Sequence, residues 1–238
     1  MLLKSILSLL QFTTVLPLGK PVDFEYFARR SYLYPLAGYV TGGIAALCIF
    51  WISNPLVAAA VALAVLLFIS GCNHFDGLLD FGDGVMAHGS REKRIRALTD
   101  RQIGAGGVAF GVTFILLSFA ALSSSLVPAA CILVAEVGGK FAMAFLTAAG
   151  APFKEGIHSC LYQHSRWYFP LLAALFLIPL AFLPLGVVPL AAAGLVMVLC
   201  PVIILYGARA LFGGVNGDVA GAANEITRSL ILLALILA

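Results

Sequence analysis

The sequence predicts an all-α fold: a polytopic membrane bundle of about six to seven transmembrane helices, with an N-terminal interfacial or re-entrant segment. Three observations carry that prediction. The chain is 62% hydrophobic and 11% charged, against about a quarter charged in an ordinary soluble domain. It holds a series of apolar windows near the roughly 20 residues that a helix needs to cross the hydrocarbon core. Its charged residues gather in a few segments and are missing from the links between them.

In chain order, the opening "MLLKSILSLLQFTTVLPLG" is apolar but short, and Pro17 ends it. It lacks the small-x-small site of a cleaved signal peptide, so it reads as an interfacial or re-entrant helix. Apolar windows follow at 32–52, 55–72, 106–127, 128–149, 169–184 and 187–206. A last helix would run from about Asn216 through "RSLILLALILA". Neither a repeat nor a domain boundary is visible, and residues 1–238 read as one integral-membrane catalytic domain.

The charges set the topology. Six fall in 4–30, ten in 76–101, three in 154–166 and four in 209–228, leaving Glu136 and Lys140 alone inside a window. The links "SNP" (53–55), "SSSLVP" (123–128) and "PLGVVP" (184–189) carry none and have the Ser, Asn, Gly and Pro of tight turns. Three helical hairpins with their charged ends on one face are therefore expected. Lys and Arg accumulate on the cytoplasmic side, and "REKRIRALTDR" (91–101) alone holds five. The expected location is the cytoplasmic membrane, multi-pass and surrounded by lipid, with the charged face toward the cytoplasm. A net charge of +3 is too small to argue for nucleic acid. The five cysteines form no C-x-x-C pair and read as small hydrophobes. Gly38/Gly42, Gly107/Gly111 and Gly217/Gly221 have the small-x-x-x-small spacing that lets helix backbones approach. Oligomeric state is not fixed by any of this, and a homo-oligomer stays open.

The chemistry is concentrated in "HFDGLLDFGDG", residues 74–84. Asp76, Asp80 and Asp83 are spaced i, i+4, i+7 and share one helix face, where like charges repel unless a cation joins them. Oxygen-only ligands favour Mg²⁺, with Mn²⁺ the alternative, and Mg²⁺ favours a few carboxylates together with phosphate oxygens. Gly77 and Gly84 would admit a phosphate or a neighbouring backbone. His74 is a possible base or phosphate contact, or simply a capping or packing residue. A second constellation, "GGVNGDVAGAANE" (213–225), places Asp218 and Glu225 seven apart behind a glycine-rich turn at a helix N-terminus. Two acidic helices flanking one metal-dependent phosphoryl site is the inference. Glu136 and Lys140, each costing ~2.5–3.5 kcal/mol at a helix centre, should face each other inside the bundle or meet substrate. His158 and His164 read as loop or interface residues, beside the interfacial pair Trp167 and Tyr168.

These residues resemble a known family. "HFDGLLDFGDG" is similar to the H-x-D-G-x-x-D-x-x-D-G motif of cobalamin synthases, the adenosylcobinamide-GDP ribazoletransferases. "FTTVLP" (12–17), "YPLAGYVTGG" (34–43), "DRQIGAGGVAFG" (100–111) and "GGVNGDVAGAANE" resemble further blocks of that family, in order. Arg101-Gln102 stand where the family has Ser-Arg, and Asn216 stands where it has Thr; residues 112–210 match mostly by hydropathy.

The resemblance implies a Mg²⁺-dependent reaction. The phosphocobinamide part of adenosylcobinamide-GDP passes to α-ribazole or its 5′-phosphate, closing the nucleotide loop of cobalamin and releasing GMP. The expected assignment gives Asp76, Asp80 and Asp83 a metal, with one of them or His74 taking the hydroxyl proton. Asp218 and Glu225 would hold a second metal or orient the ribazole. Asp100, Arg101, Gly213, Gly214, Asn216 and Gly217, with Gly77 and Gly84, would contact substrate. Two other readings compete. A CDP-alcohol phosphatidyltransferase would carry D-G-x-x-A-R, but Asp80-Phe81 stand in place of Ala-Arg. A cation-coupled transporter would place its acids at mid-membrane, usually within inverted repeats, rather than at one mouth.

Overall fold

A computed structural model describes residues 1–238 and is helical throughout, with only an isolated bridge between Pro152 and Val215 as extended pairing. The helices are α1 (Leu2–Thr13), α2 (Glu25–Ala28), α3 (Tyr34–Ile49), α4 (Pro55–Ile69), α5 (Asn73–Met86), α6 (Arg91–Leu98), α7 (Ala105–Ser123), α8 (Pro128–Ala149), α9 (Ile157–His164), α10 (Phe169–Leu175), α11 (Val187–Phe212) and α12 (Gly217–Leu237). Short 3₁₀ turns at Ser31–Leu33 and Ile178–Phe182 precede α3 and follow α10.

Five helices are long and apolar enough to cross a membrane alone: α3 with its leading turn, α7, α8, α11 and α12. Two bent pairs bring the number to seven if each counts as one span: α4 with α5, at 93°, and α9 with α10 and its trailing turn, at 91°. In each pair one member is short of apolar residues. α5 carries three aspartates and α9 two histidines, so we place both at the polar rim, outside the spans. α1 is too short to cross, and the segment after it meets the end of α4 through Val15 N to Ile69 O. Gln11 holds the turn after α1, with Nε2 donating to Lys20 O at 2.9 Å and Oε1 accepting from Val22 N at 2.8 Å.

α8 and α12 are the most buried spans and form the axis of the bundle. α3 and α12 pack along α8, while α5 and α11 pack along α12. Gly38 permits the first of these pairings: a Cβ there would lie 2.7 Å from Val137 Cα on α8. The predicted hairpins hold only in part. α3 and α4 pack together, but α7 barely touches α8, and α10 leans on α8 rather than on α11. The short links are present; the helices they join splay to reach better-matched partners.

Between α3, α8 and α12 lies a buried charge network. Lys140 Nζ donates to Glu136 Oε1 at 2.6 Å and to Asn224 Oδ1 at 2.9 Å. Thr41 Oγ1 donates to Glu136 Oε1 at 3.0 Å, and Arg228 bridges Glu136 Oε2, at 3.3 Å, to Glu225. Two acids and two bases cancel inside the bundle, which is the condition under which buried charge persists.

Candidate active site

The elbow before α5 is built by two consecutive left-handed residues, Gly71 at φ +60° and Cys72 at φ +58°. Val15 N donates to Ile69 O at 2.8 Å, so the segment after α1 braces the elbow. α5 then runs along the first turns of α12. Gly77 sets the spacing, since a Cβ there would lie 2.8 Å from Asp218 O. It admits a neighbouring backbone, as the sequence suggested for this position or for a phosphate. Gly84 does the same for side chains, Leu98 and Phe212.

That contact brings Asp76 and Asp80 of α5 beside Asp218 of α12. The three line one open cavity of about 350 Å³, together with Asp100, Arg101 and Lys154. Asp80 senses the crowding. Burial, then the neighbouring Asp218, Asp76 and Asp83, push its carboxyl up to about 7, with Lys154 opposing. Asn216 caps α12 through Val219 N, at 3.0 Å, and its amide donates to Asp218 Oδ2 at 2.6 Å, fixing that carboxylate.

Two predicted ligands are committed elsewhere. Asp83 accepts from Gly104 N at 2.7 Å and Gly107 N at 2.8 Å, capping the start of α7 instead of lining the mouth. Glu225 lies inside the bundle, with one oxygen accepting from Asn224 Nδ2 at 3.0 Å and the other held by Arg228. The expected pairing of Glu225 with Asp218 fails because Arg228, one turn further on, captures it. The glycine-rich turn is also partly used. Gly213, at φ +86°, caps α11; Gly214 packs on the Ala151 carbonyl; and Val215 N donates to Ala151 O at 2.9 Å. Gly217 remains open to the site.

His74 is on α5 but not in the mouth. It is buried, with burial and the nearby Lys140 pushing its imidazole well below the ordinary range despite Glu136. It lines a second cavity of about 310 Å³ that adjoins the mouth through shared Asp76 and Asp218. His158, expected in a loop or at the interface, is buried on α9 and lines that cavity too. Lys154 went unread. It sits in the loop after α8, and only the pairing of Ala151 with Val215, 64 residues apart by sequence number, carries it to the acids.

No three of the carboxylates and imidazoles form a ready-made ligand set, so the predicted five-carboxylate metal site is not assembled. What the mouth offers is an all-oxygen donor set of spaced carboxylates with two cations beside it. That set fits Mg²⁺, which takes one or two carboxylates and completes its shell with waters and substrate phosphates.

Comparison with known proteins decides the family. The model of the cobalamin-5-phosphate synthase family matches residues 5–236. The chain belongs to that family. Its relatives in Methanococcoides burtonii, at 33% identity over 95% of this chain and 89% of the relative, and Methanocella arvoryzae, at 36% over 95% and 93%, are both named adenosylcobinamide-GDP ribazoletransferase. So is one from Deinococcus radiodurans, at 35% over 94% and 82%. No solved structure matches the chain. As a cobalamin-5-phosphate synthase family member it is a transferase of cobalamin synthesis, built as a membrane helical bundle.

Proposed function

We propose that the chain transfers the phosphocobinamide moiety of adenosylcobinamide-GDP to a ribose hydroxyl of α-ribazole or its 5′-phosphate. The products are adenosylcobalamin, or its 5′-phosphate, and GMP. The observation that carries the reading is the meeting of Asp76, Asp80 and Asp218 with Lys154 and Arg101 at one mouth. A diphosphate ester is a polyanion, and its transfer depends on positioning and charge neutralisation more than on covalent help from the protein.

Asp76, Asp80 and Asp218 would supply the one or two carboxylates that hold Mg²⁺, or Mn²⁺ in its place. The ion would supply charge stabilisation to the diphosphate and the departing GMP. Lys154 and Arg101 contribute fixed positive charge on the same rim. Asp83, by capping α7, keeps α5 seated, and Asn216 aims Asp218. The mouth faces the cytoplasm of a cell membrane, in keeping with the basic run at 91–101.

The test uses purified protein in detergent with Mg²⁺, adenosylcobinamide-GDP and α-ribazole, following GMP and the new corrinoid. Both should appear together and vanish when the metal is chelated. Absence of GMP release from adenosylcobinamide-GDP with either α-ribazole or its 5′-phosphate as acceptor, together with activity on CDP-alcohols, would overturn the assignment.

A further inference from the structure

The cavity adjoining the mouth has a composition of its own. None of its lining residues is Lys or Arg, and its carboxylates, Asp76 and Asp218, are those shared with the mouth. Phe12, Met143 and Leu161 supply apolar wall. Two polar residues there keep hydrogen-bonding capacity that the fold does not use. Thr147 Oγ1 is fully buried and has no well-formed hydrogen bond, its one polar neighbour being the Tyr34 hydroxyl on the same cavity wall, and such buried hydroxyls are rare. His158 Nε2 lies 2.8 Å from Gly150 O. A carbonyl only accepts, so Nε2 carries the proton and Nδ1 is left as an acceptor.

We infer that this chamber seats the acceptor, an uncharged planar nitrogen heterocycle bearing a ribose, with Thr147 and His158 among its polar contacts. The inference rests on the reaction proposed above and adds where the acceptor binds. A diphosphate would find no cation inside. Guanine presents N1–H and N2–H donors that a carboxylate reads best, and the two carboxylates that line the chamber, Asp76 and Asp218, are those given to the metal above. A corrin macrocycle does not fit in about 310 Å³. A benzimidazole nucleoside matches the apolar wall and the neutral polar groups. Its placement also suits the chemistry: the hydroxyl approaches the diphosphate from one side of the shared Asp76 and Asp218, and GMP leaves from the other, as in-line displacement requires.

The experiment measures binding without turnover. α-Ribazole and, separately, GMP are titrated calorimetrically into detergent-purified protein, wild type, Thr147→Val and His158→Gln. Thr147→Val keeps the shape and removes the orphan hydroxyl, so its melting temperature reports folding. Each variant should weaken α-ribazole binding about three- to tenfold, the worth of one neutral hydrogen bond, and leave GMP binding unchanged. Leu161→Trp, which fills the chamber, should abolish α-ribazole binding alone. Unchanged α-ribazole affinity in all three folded variants, or GMP competing for the chamber, overturns the assignment. Because no turnover is needed, a failed transfer assay bears on the reaction and a failed titration on the chamber.

Discussion

Asp80 carries the most telling chemistry of any single residue. It is half-buried among three other acids and held up to about 7. Asp80→Asn should lower turnover by at least about 100-fold, measured as GMP release, and leave the melting temperature in detergent unchanged or higher, because it removes a repelled charge. The pH dependence follows by sign. Below about 7 the carboxyl holds a proton that a cation must displace, so Mn²⁺ affinity, read by electron paramagnetic resonance, should rise up to about tenfold per pH unit from pH 5.5 to 7 and level off above. Asp76 and Asp80 were legible because i, i+4 spacing is local geometry. The capture of Asp83 by the α7 amides was not, since nothing within α5 announces a partner more than twenty residues on.

Among the elements, the α5–α12 contact governs the site. Gly77→Val would drive a branched side chain into the Asp218 backbone. It should cost about 1–3 kcal/mol, the usual price of overpacking, and reduce activity while helix content by circular dichroism stays the same. The α3–α8–α12 network makes a separate prediction. Arg228→Met leaves Glu225 without a cation and should destabilise by about 3–5 kcal/mol, with the double variant Glu225→Gln, Arg228→Met, which keeps Glu136 paired with Lys140, recovering much of the loss. The Glu136–Lys140 pair was readable from its i, i+4 spacing. Arg228 stands one turn after Glu225, yet the seven-residue spacing of Asp218 and Glu225 fits a shared helix face equally well, and only packing against Glu136 decides between them.

On the scale of the whole molecule, apolar windows and uncharged links predicted the spans closely, because hydrophobic length is a property of the segment itself. Which spans touch was not legible. It depends on shape, such as Gly38 against Val137, which hydropathy does not encode. Lys154 was lost for the same reason: a loop acquires its neighbours only when the bundle closes. The sidedness is testable. In a background lacking the exposed Cys48 and Cys72, Ser90→Cys should react with a membrane-impermeant maleimide from the cytoplasmic side only, and Ser53→Cys from the opposite side only. Labelling of both from one side would break the topology.

The buried network has a consequence for biogenesis. Lys140 pairs with Glu136 on its own helix and Arg228 with Glu225 on its own helix, before any neighbour is met. Each helix can thus leave the translocon already neutralised, sparing most of the ~2.5–3.5 kcal/mol that a lone charge costs there. The bonds that cross between helices, Arg228 to Glu136 and Lys140 to Asn224, then act as a lock thrown only at lateral assembly in the lipid.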